Sequence, residues 1–156
     1  MHVDTLSHAK GQDRACVHAS CVSLAGRGLL IIGSSGTGKS GLALQMMAFG
    51  ADLVADDRVN LEMKHHRVFA SAVPQIRGLI EARQFGLLAA DPTGPVPLDY
   101  VVDLDQHEPQ RLPDPLMISV LRQTVPLLRG AGVPNLAAAL MQLLGNGRVN
   151  PEWPNK

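Results

Sequence analysis

Eight residues, Gly33-Ser34-Ser35-Gly36-Thr37-Gly38-Lys39-Ser40, constrain the fold of this chain more than any other segment. They fit G-x-x-x-x-G-K-[ST], a loop whose backbone N–H groups cradle phosphate, and their flanks are those such a loop needs. Ahead of the loop, Gly28-Leu29-Leu30-Ile31-Ile32 is a short apolar run with β-branched residues, which predicts a buried strand. Behind it, Leu42, Ala43, Leu44, Met46 and Met47 recur at helical spacing, and Gly50 is placed to stop the helix. Strand, glycine loop and helix together aim N–H groups and a helix N-terminus at anionic oxygens. The segment therefore predicts a nucleoside triphosphate site, with Lys39 on the β- and γ-phosphates and the Ser40 hydroxyl on Mg²⁺.

The remaining composition narrows the partners. The 156 residues suit one domain able to bury its own core, and 46% of them are hydrophobic. Net charge is zero, no Lys/Arg-rich run is present, and aromatics make up 3%. Neither an electrostatic footprint nor stacking platforms for nucleic acid are expected, and the core must be aliphatic. Cys16 and Cys21 have no second pair or metal-type histidine spacing beside them, so they read as free thiols. The first 14 residues are polar without an apolar h-region, and no run approaches membrane-spanning length. A cytoplasmic protein with no membrane partner is expected.

Along the chain, residues 1–14 read as a flexible lead-in, 15–145 as one domain built around the loop and 146–156 as a tail holding the single tryptophan, Trp153. Cys16 to Leu24 alternates apolar and small polar residues, predicting one half-buried strand that turns at Ala25–Gly28 into the strand before the loop. After the helix, Ala51–Ala55 predicts another short strand, which runs directly into Asp56-Asp57. Two adjacent carboxylates there are costly unless a cation or a transferred proton neutralises them, which marks a metal-handling and catalytic pair. A hairpin is expected from Val59 to Ala70, turning at Lys64-His65; the neighbouring His65 and His66 would point apart and make poor co-ligands. An extended segment, Ile76 to Leu88, would place Glu81 and Arg83 on one face. Further strands are expected at Tyr100–Leu104, Met117–Val120 and Gln123–Leu128. A last helix carries Leu136, Leu140, Leu143 and Leu144, capped by Asn135 and ended by Gly145. The pattern is α/β, strand-rich, with few helices on a mixed sheet.

Taken together, Val17-His18, the Gly33–Ser40 loop, Val54-Ala55-Asp56-Asp57-Arg58-Val59 and Ile80-Glu81-Ala82-Arg83-Gln84-Phe85-Gly86 resemble HPr kinase/phosphorylase. The resemblance is to the catalytic domain alone, in its short α-proteobacterial form, over about residues 15 to 144, and implies that 15–145 is the family's C-terminal catalytic domain. The loop by itself is generic; its combination with the A-D-D-R-V and E-x-R-x-x-G segments is specific. The resemblance implies a P-loop domain on a mixed sheet, similar to bacterial phosphoenolpyruvate carboxykinase. It implies ATP- and Mg²⁺-dependent phosphorylation of a serine on an HPr-type phosphocarrier of the phosphotransferase system. It also implies phosphate-dependent dephosphorylation with release of pyrophosphate. Asp57 is similar to the family's general base, with Asp56 supporting it or the metal. His18 matches the histidine near the reacting phosphate, and Ser40 and Glu81 match the Mg²⁺ ligands. Arg111 matches a catalytic arginine, and Arg83 belongs to the catalytic set. Pro126-Leu127-Leu128-Arg129-Gly130-Ala131 falls where the family carries a dephosphorylation loop.

Ser34 and Gly41 stand where the family often carries acidic residues, and Gln84-Phe85 replaces a common Gly-Leu pair. The family also implies a homo-oligomer, a hexamer in its full-length members. Two other readings remain open on the sequence: a nucleotide-binding regulator with little kinase activity, and a P-loop kinase for a small molecule.

Overall fold

A computed structural model describes residues 6–149 of the chain. Its elements are β1 (Arg14–Val17), β2 (Ser20–Leu24), β3 (Arg27–Ile32), α1 (Lys39–Ala48), β4 (Asp52–Ala55), β5 (Val59–Lys64) and β6 (Arg67–Ala72). There follow β7 (Leu79–Ala82), β8 (Gly86–Ala89), β9 (Val96–Asp103), β10 (Met117–Val120), β11 (Gln123–Arg129) and α2 (Leu136–Asn146). The strand-rich α/β architecture with few helices is as the sequence predicts.

The strand that feeds the phosphate loop lies at the centre. β3 pairs antiparallel with β2 and parallel with β9, and β2 carries β4 on its other edge. Successive residues of β3 alternate between two cores, as a strand covered on both faces must. Leu29 and Ile31 pack with Leu42 and Met46 of α1 and Leu140 and Leu144 of α2. Leu30 and Ile32 pack on the other face with Val17, Val59, Leu61 and Val125. β9 alternates in the same sense through Val101 and Val102. Its first half pairs with β6 and its second half pairs parallel with β11, so one long strand joins two sub-sheets. At Gly28 an added Cβ would lie 2.6 Å from the Pro97 carbonyl oxygen, so glycine there permits the close β3–β9 approach.

Several boundaries differ from expectation. The strand expected from Cys16 to Leu24 is broken at His18-Ala19, because its halves take different neighbours: β1 pairs with β5, and β2 with β3 and β4. The Ala19 N–H donates to the Asp57 carbonyl at the break, which brings His18 beside the acidic pair. The lead-in is packed from its sixth residue: Leu6 and Ala9 are buried in the core, and the Gly11 N–H donates to the Leu121 carbonyl. The segment from Ile76 to Leu88 folds into a separate β7–β8 hairpin. The β5–β6 turn falls on His65-His66, both at positive φ, one residue beyond the expected position. Asn135 does not cap α2 with its side chain; its backbone is left-handed and its carbonyl accepts from the Ala139 N–H. The helix passes Gly145 and ends at Asn146, followed by Gly147 at φ +79°. Trp153 and most of the tail lie outside the described residues.

Candidate active site

The loop between β3 and α1 is shaped by glycines where other residues would clash or strain. Gly33 has φ +155°, and a Cβ there would meet Thr37 Oγ1 at 2.6 Å; Gly38, at φ +96°, opens α1. Thr37 Oγ1 donates to the Ser34 carbonyl (2.7 Å), closing the loop on itself. Lys39 Nζ donates to the carbonyls of Gly33 (2.9 Å) and Ser34 (3.1 Å), which holds its ammonium against the loop.

Ser34 faces away from this ring. Its N–H donates to Asp105 Oδ2 and its hydroxyl to Asp105 Oδ1, each at 2.8 Å. The Asp105 N–H in turn donates to Oδ1 of the buried Asp103 at the end of β9, and Gln106 Nε2 donates to its Oδ2. The parallel neighbour of β3 thus braces the first turn of the phosphate loop. Of the eight loop residues, Ser35, Gly36, Gly38, Lys39 and Ser40 line a cleft of about 520 Å³, while Gly33, Ser34 and Thr37 form the frame.

Asp56 and Asp57 take opposite positions. Asp56 is 5% exposed, and its carboxylate accepts from three donors: Ser20 Oγ (2.7 Å), Ser40 Oγ (2.7 Å) and the Glu81 N–H (3.0 Å). Hydrogen bonds from fixed donors, and not only a cation, offset the cost of burying this charge. Asp57 is turned outward by a left-handed backbone (φ +68°), with the Arg58 N–H closing on the Asp56 carbonyl at 2.7 Å. That sense of three-residue turn is rare and strained for an L-residue. Its exposed carboxylate meets His18 Nε2 at 2.6 Å through Oδ1.

His18, Asp57, Lys39, Ser40, Glu81 and Arg83 line the same cleft, although they come from four separate stretches of chain. Ser20, Leu44 and Phe85 also line it. The backbone N–H of Glu81 binds Asp56, so the β7–β8 hairpin is tied to the acidic pair by main chain. Ser40, Asp56 and Glu81 offer one hydroxyl and two carboxylates, hard oxygen donors of the kind Mg²⁺ takes. Among the described residues no group of three or more His, Cys, Asp and Glu side chains is arranged to hold a metal. Such a sparse donor set suits an ion that also takes phosphate and water oxygens.

Two expected site elements lie elsewhere. Arg111 lines a second groove, together with Leu128, Arg129 and Ala131 of the 126–131 segment. Pro126 faces another surface beside Tyr100 and Thr124, Leu127 is buried in the core, and Gly130 packs on Val102 and Leu104. Among the described residues the lysine and arginine side chains that line the cleft are Lys39 and Arg83. Ser20 and Asp105 carried no signal in the sequence. Their partners are Asp56, 36 residues away, and Ser34, 71 residues away, and only the sheet brings these together. The Cys21 thiol, inside the core, is pushed up by burial and stays neutral.

Comparison with known proteins places this geometry. Residues 10–93, more than half of the chain, match the model of the HPr Serine kinase C-terminal domain. The HPr kinase/phosphorylase of Lactobacillus delbrueckii subsp. bulgaricus is 38% identical over 77 residues, covering 49% of this chain and 24% of that protein. That of Lactiplantibacillus plantarum is 35% identical over 106 residues, covering 65% and 34% respectively. The chain therefore spans about a quarter to a third of the curated relatives it matches. The Hpr(Ser) kinase/phosphatase of Coxiella burnetii superposes with a TM-score of 0.70 at 23% identity, covering 85% of this chain and 89% of that one, a likeness of fold. With the phosphate loop, the acidic pair and the β7–β8 hairpin all inside the matched segment, the chain belongs to the HPr serine kinase C-terminal domain family.

Proposed function

We propose that this chain is an ATP- and Mg²⁺-dependent protein-serine kinase acting on an HPr-type phosphocarrier. The observation that carries the reading is the outward-facing Asp57, paired with His18 at 2.6 Å, in one cleft with Lys39 and Ser40. Phosphoryl transfer asks little covalent chemistry of a protein; it needs alignment, charge neutralisation and a base within reach of the attacking hydroxyl. Lys39 and the loop N–H groups bind the phosphates, and Ser40, with Asp56 and Glu81, would hold the metal. Bound Mg²⁺ supplies charge neutralisation on the phosphate oxygens. Asp57 takes the proton of the serine hydroxyl as its oxygen bonds to the γ-phosphorus and the bond to the β-phosphate oxygen breaks. His18, protonated at Nε2, donates to Asp57 and orients it. Arg83 adds positive charge at the rim.

Both members of the His18–Asp57 pair are more than half exposed. A base so open to solvent suits a serine carried on the surface of another protein better than a small molecule that must be engulfed. The reverse reaction is part of the same proposal. Inorganic phosphate attacks phosphoserine phosphorus, Asp57 returns its proton to the leaving serine oxygen, and pyrophosphate departs. Arg111 and the 126–131 segment, set apart from the cleft, would act on that reaction indirectly or from a neighbouring subunit of the homo-oligomer the family suggests.

The test is incubation of the chain with Mg²⁺-ATP and purified HPr-type carriers, followed by intact mass. A gain of one phosphoryl group on serine, reversed by added phosphate with pyrophosphate release, is expected. ATP binding with no transfer to any folded carrier would overturn the kinase reading and leave a nucleotide-binding regulator.

A further inference from the structure

The groove that takes Arg111 and Arg129 has a character of its own. It is a cavity of about 870 Å³ between the turn after β11, the 107–113 segment and one face of α2. Three arginines line it, Arg111, Arg129 and Arg148, with His107 beside them and Glu108 as the single carboxylate. This local excess of positive charge stands out in a chain whose net charge is zero. Leu136, Leu140 and Leu143 of α2 and Leu128 of β11 line the same groove and give it an apolar wall.

The cations have a fixed base. Gly130 and Ala131 donate their N–H groups to the carbonyls of Asp103 and Gln106, each at 2.9 Å, so the turn after Arg129 is locked to the end of β9. Arg27 Nη1 donates to the carbonyls of Leu144 (2.8 Å) and Gly145 (3.1 Å), which fixes the C-terminal end of α2. Within this frame Arg129 Nε is buried and has no hydrogen-bond partner among the described residues. Buried N–H donors of native proteins are nearly always paired, and an unpaired one calls for an explanation. A guanidinium group matches the two oxygens of a carboxylate or phosphate.

We infer that this groove is a binding site for a small amphiphilic anion, a carboxylate or phosphate head on an apolar body. The head sits on Arg129 and is neutralised by Arg111 and Arg148; the body lies along the leucines of α2. A bare inorganic anion would leave that wall wet, and a neutral apolar molecule would leave the three guanidinium groups without a counter-charge. The volume falls in the range of small-molecule sites. The site is distinct from the phosphate loop, and the inference does not depend on the kinase reading.

The test is calorimetric titration of the full chain, saturated with Mg²⁺-ADP so that the phosphate loop is taken. The probes are hexanoate, hexyl phosphate and uncharged hexanol. One anion per chain is expected to bind with a dissociation constant on the order of 1 mM or tighter, with hexanol giving no saturable heat. The stronger of the two anions identifies the head group. Arg129→Gln should weaken binding about tenfold or more. Because Arg129 is partly buried, the exposed pair Arg111→Gln and Arg148→Gln provides a second test, expected to weaken binding severalfold with an unchanged melting temperature. Hexanol binding as well as the anions, or anion binding that survives all three substitutions, would overturn the inference. Binding seen only after deletion of residues 150–156 would mean that the chain's own tail fills the groove. Binding lost as protein concentration rises would mean that a second copy covers it, and either result counts against the proposal.

Discussion

Asp56 offers a sharp test of how the site is built, because two substitutions of similar size should behave differently. Its carboxylate is buried and accepts from Ser20 Oγ, Ser40 Oγ and the Glu81 N–H. In Asp56→Asn the amide can turn so that its oxygen accepts from Glu81 and its NH₂ donates to both hydroxyls, which can accept as well as donate. All three contacts survive, weakened by loss of charge, so the cost is about 1 kcal/mol. In Asp56→Ala the Ser40 hydroxyl can turn to the solvent in the cleft, but the buried Ser20 hydroxyl and the Glu81 N–H lose their acceptor. At roughly 1–3 kcal/mol for each orphaned donor, the expected loss is about 4 kcal/mol. That is a large fraction of the ~5–15 kcal/mol available to a domain and corresponds to about 10 °C in melting temperature. Urea denaturation of the three proteins measures it. Equal stability of the Ala and Asn variants would refute the claim that Asp56 is a structural junction. Asn should nonetheless lose phosphoryl transfer if Asp56 also serves the metal, so stability and activity part company in that variant alone.

The brace on the phosphate loop makes a separate prediction. Asp105→Ala frees the Ser34 N–H and hydroxyl, and should raise KM for ATP about tenfold with a smaller change in kcat, since alignment of bound phosphate is what is lost; an unchanged KM would refute it. The two thiols should also separate. Cys16 is exposed and Cys21 is buried with its thiol pushed up by burial, so iodoacetamide at neutral pH should add one group to the native chain and two after denaturation; two rapid additions to the native chain would contradict the packing of β2.

How much of this was legible in the sequence followed from how local each signal was. The loop from Gly33 to Ser40 announced itself because its strand, turn and helix are consecutive, and the double-sided burial of β3 showed in the unbroken run Leu29–Ile32. The pairing of Asp56 with Asp57 was visible, but their division was not. One residue faces inward and the other outward because of a positive φ at Asp57, and aspartate carries no sequence mark for that conformation. Asp105 and Ser20 were silent because their partners are set by β3–β9 and β2–β4 register and not by spacing along the chain. Arg111 and the 126–131 segment came from resemblance alone, and the structure sends Arg111, Leu128, Arg129 and Ala131 to a different groove. The break at His18-Ala19 escaped because periodicity reports the faces of a strand and not a change of neighbour.

In the proposed mechanism Asp57 removes the serine proton while other groups hold the nucleotide. The most direct measurement is Asp57→Asn, followed by single-turnover transfer from Mg²⁺-ATP to an HPr-type carrier and by ATP affinity on the same preparation. The exposed side chain at position 57 contributes little to packing, so folding and ATP affinity should stay within about twofold of the parent. Transfer should fall by on the order of 10²–10⁴, the usual contribution of a positioned general base. Transfer that continues at the parental rate would contradict the assignment of the base and with it the mechanism built on the His18–Asp57 pair.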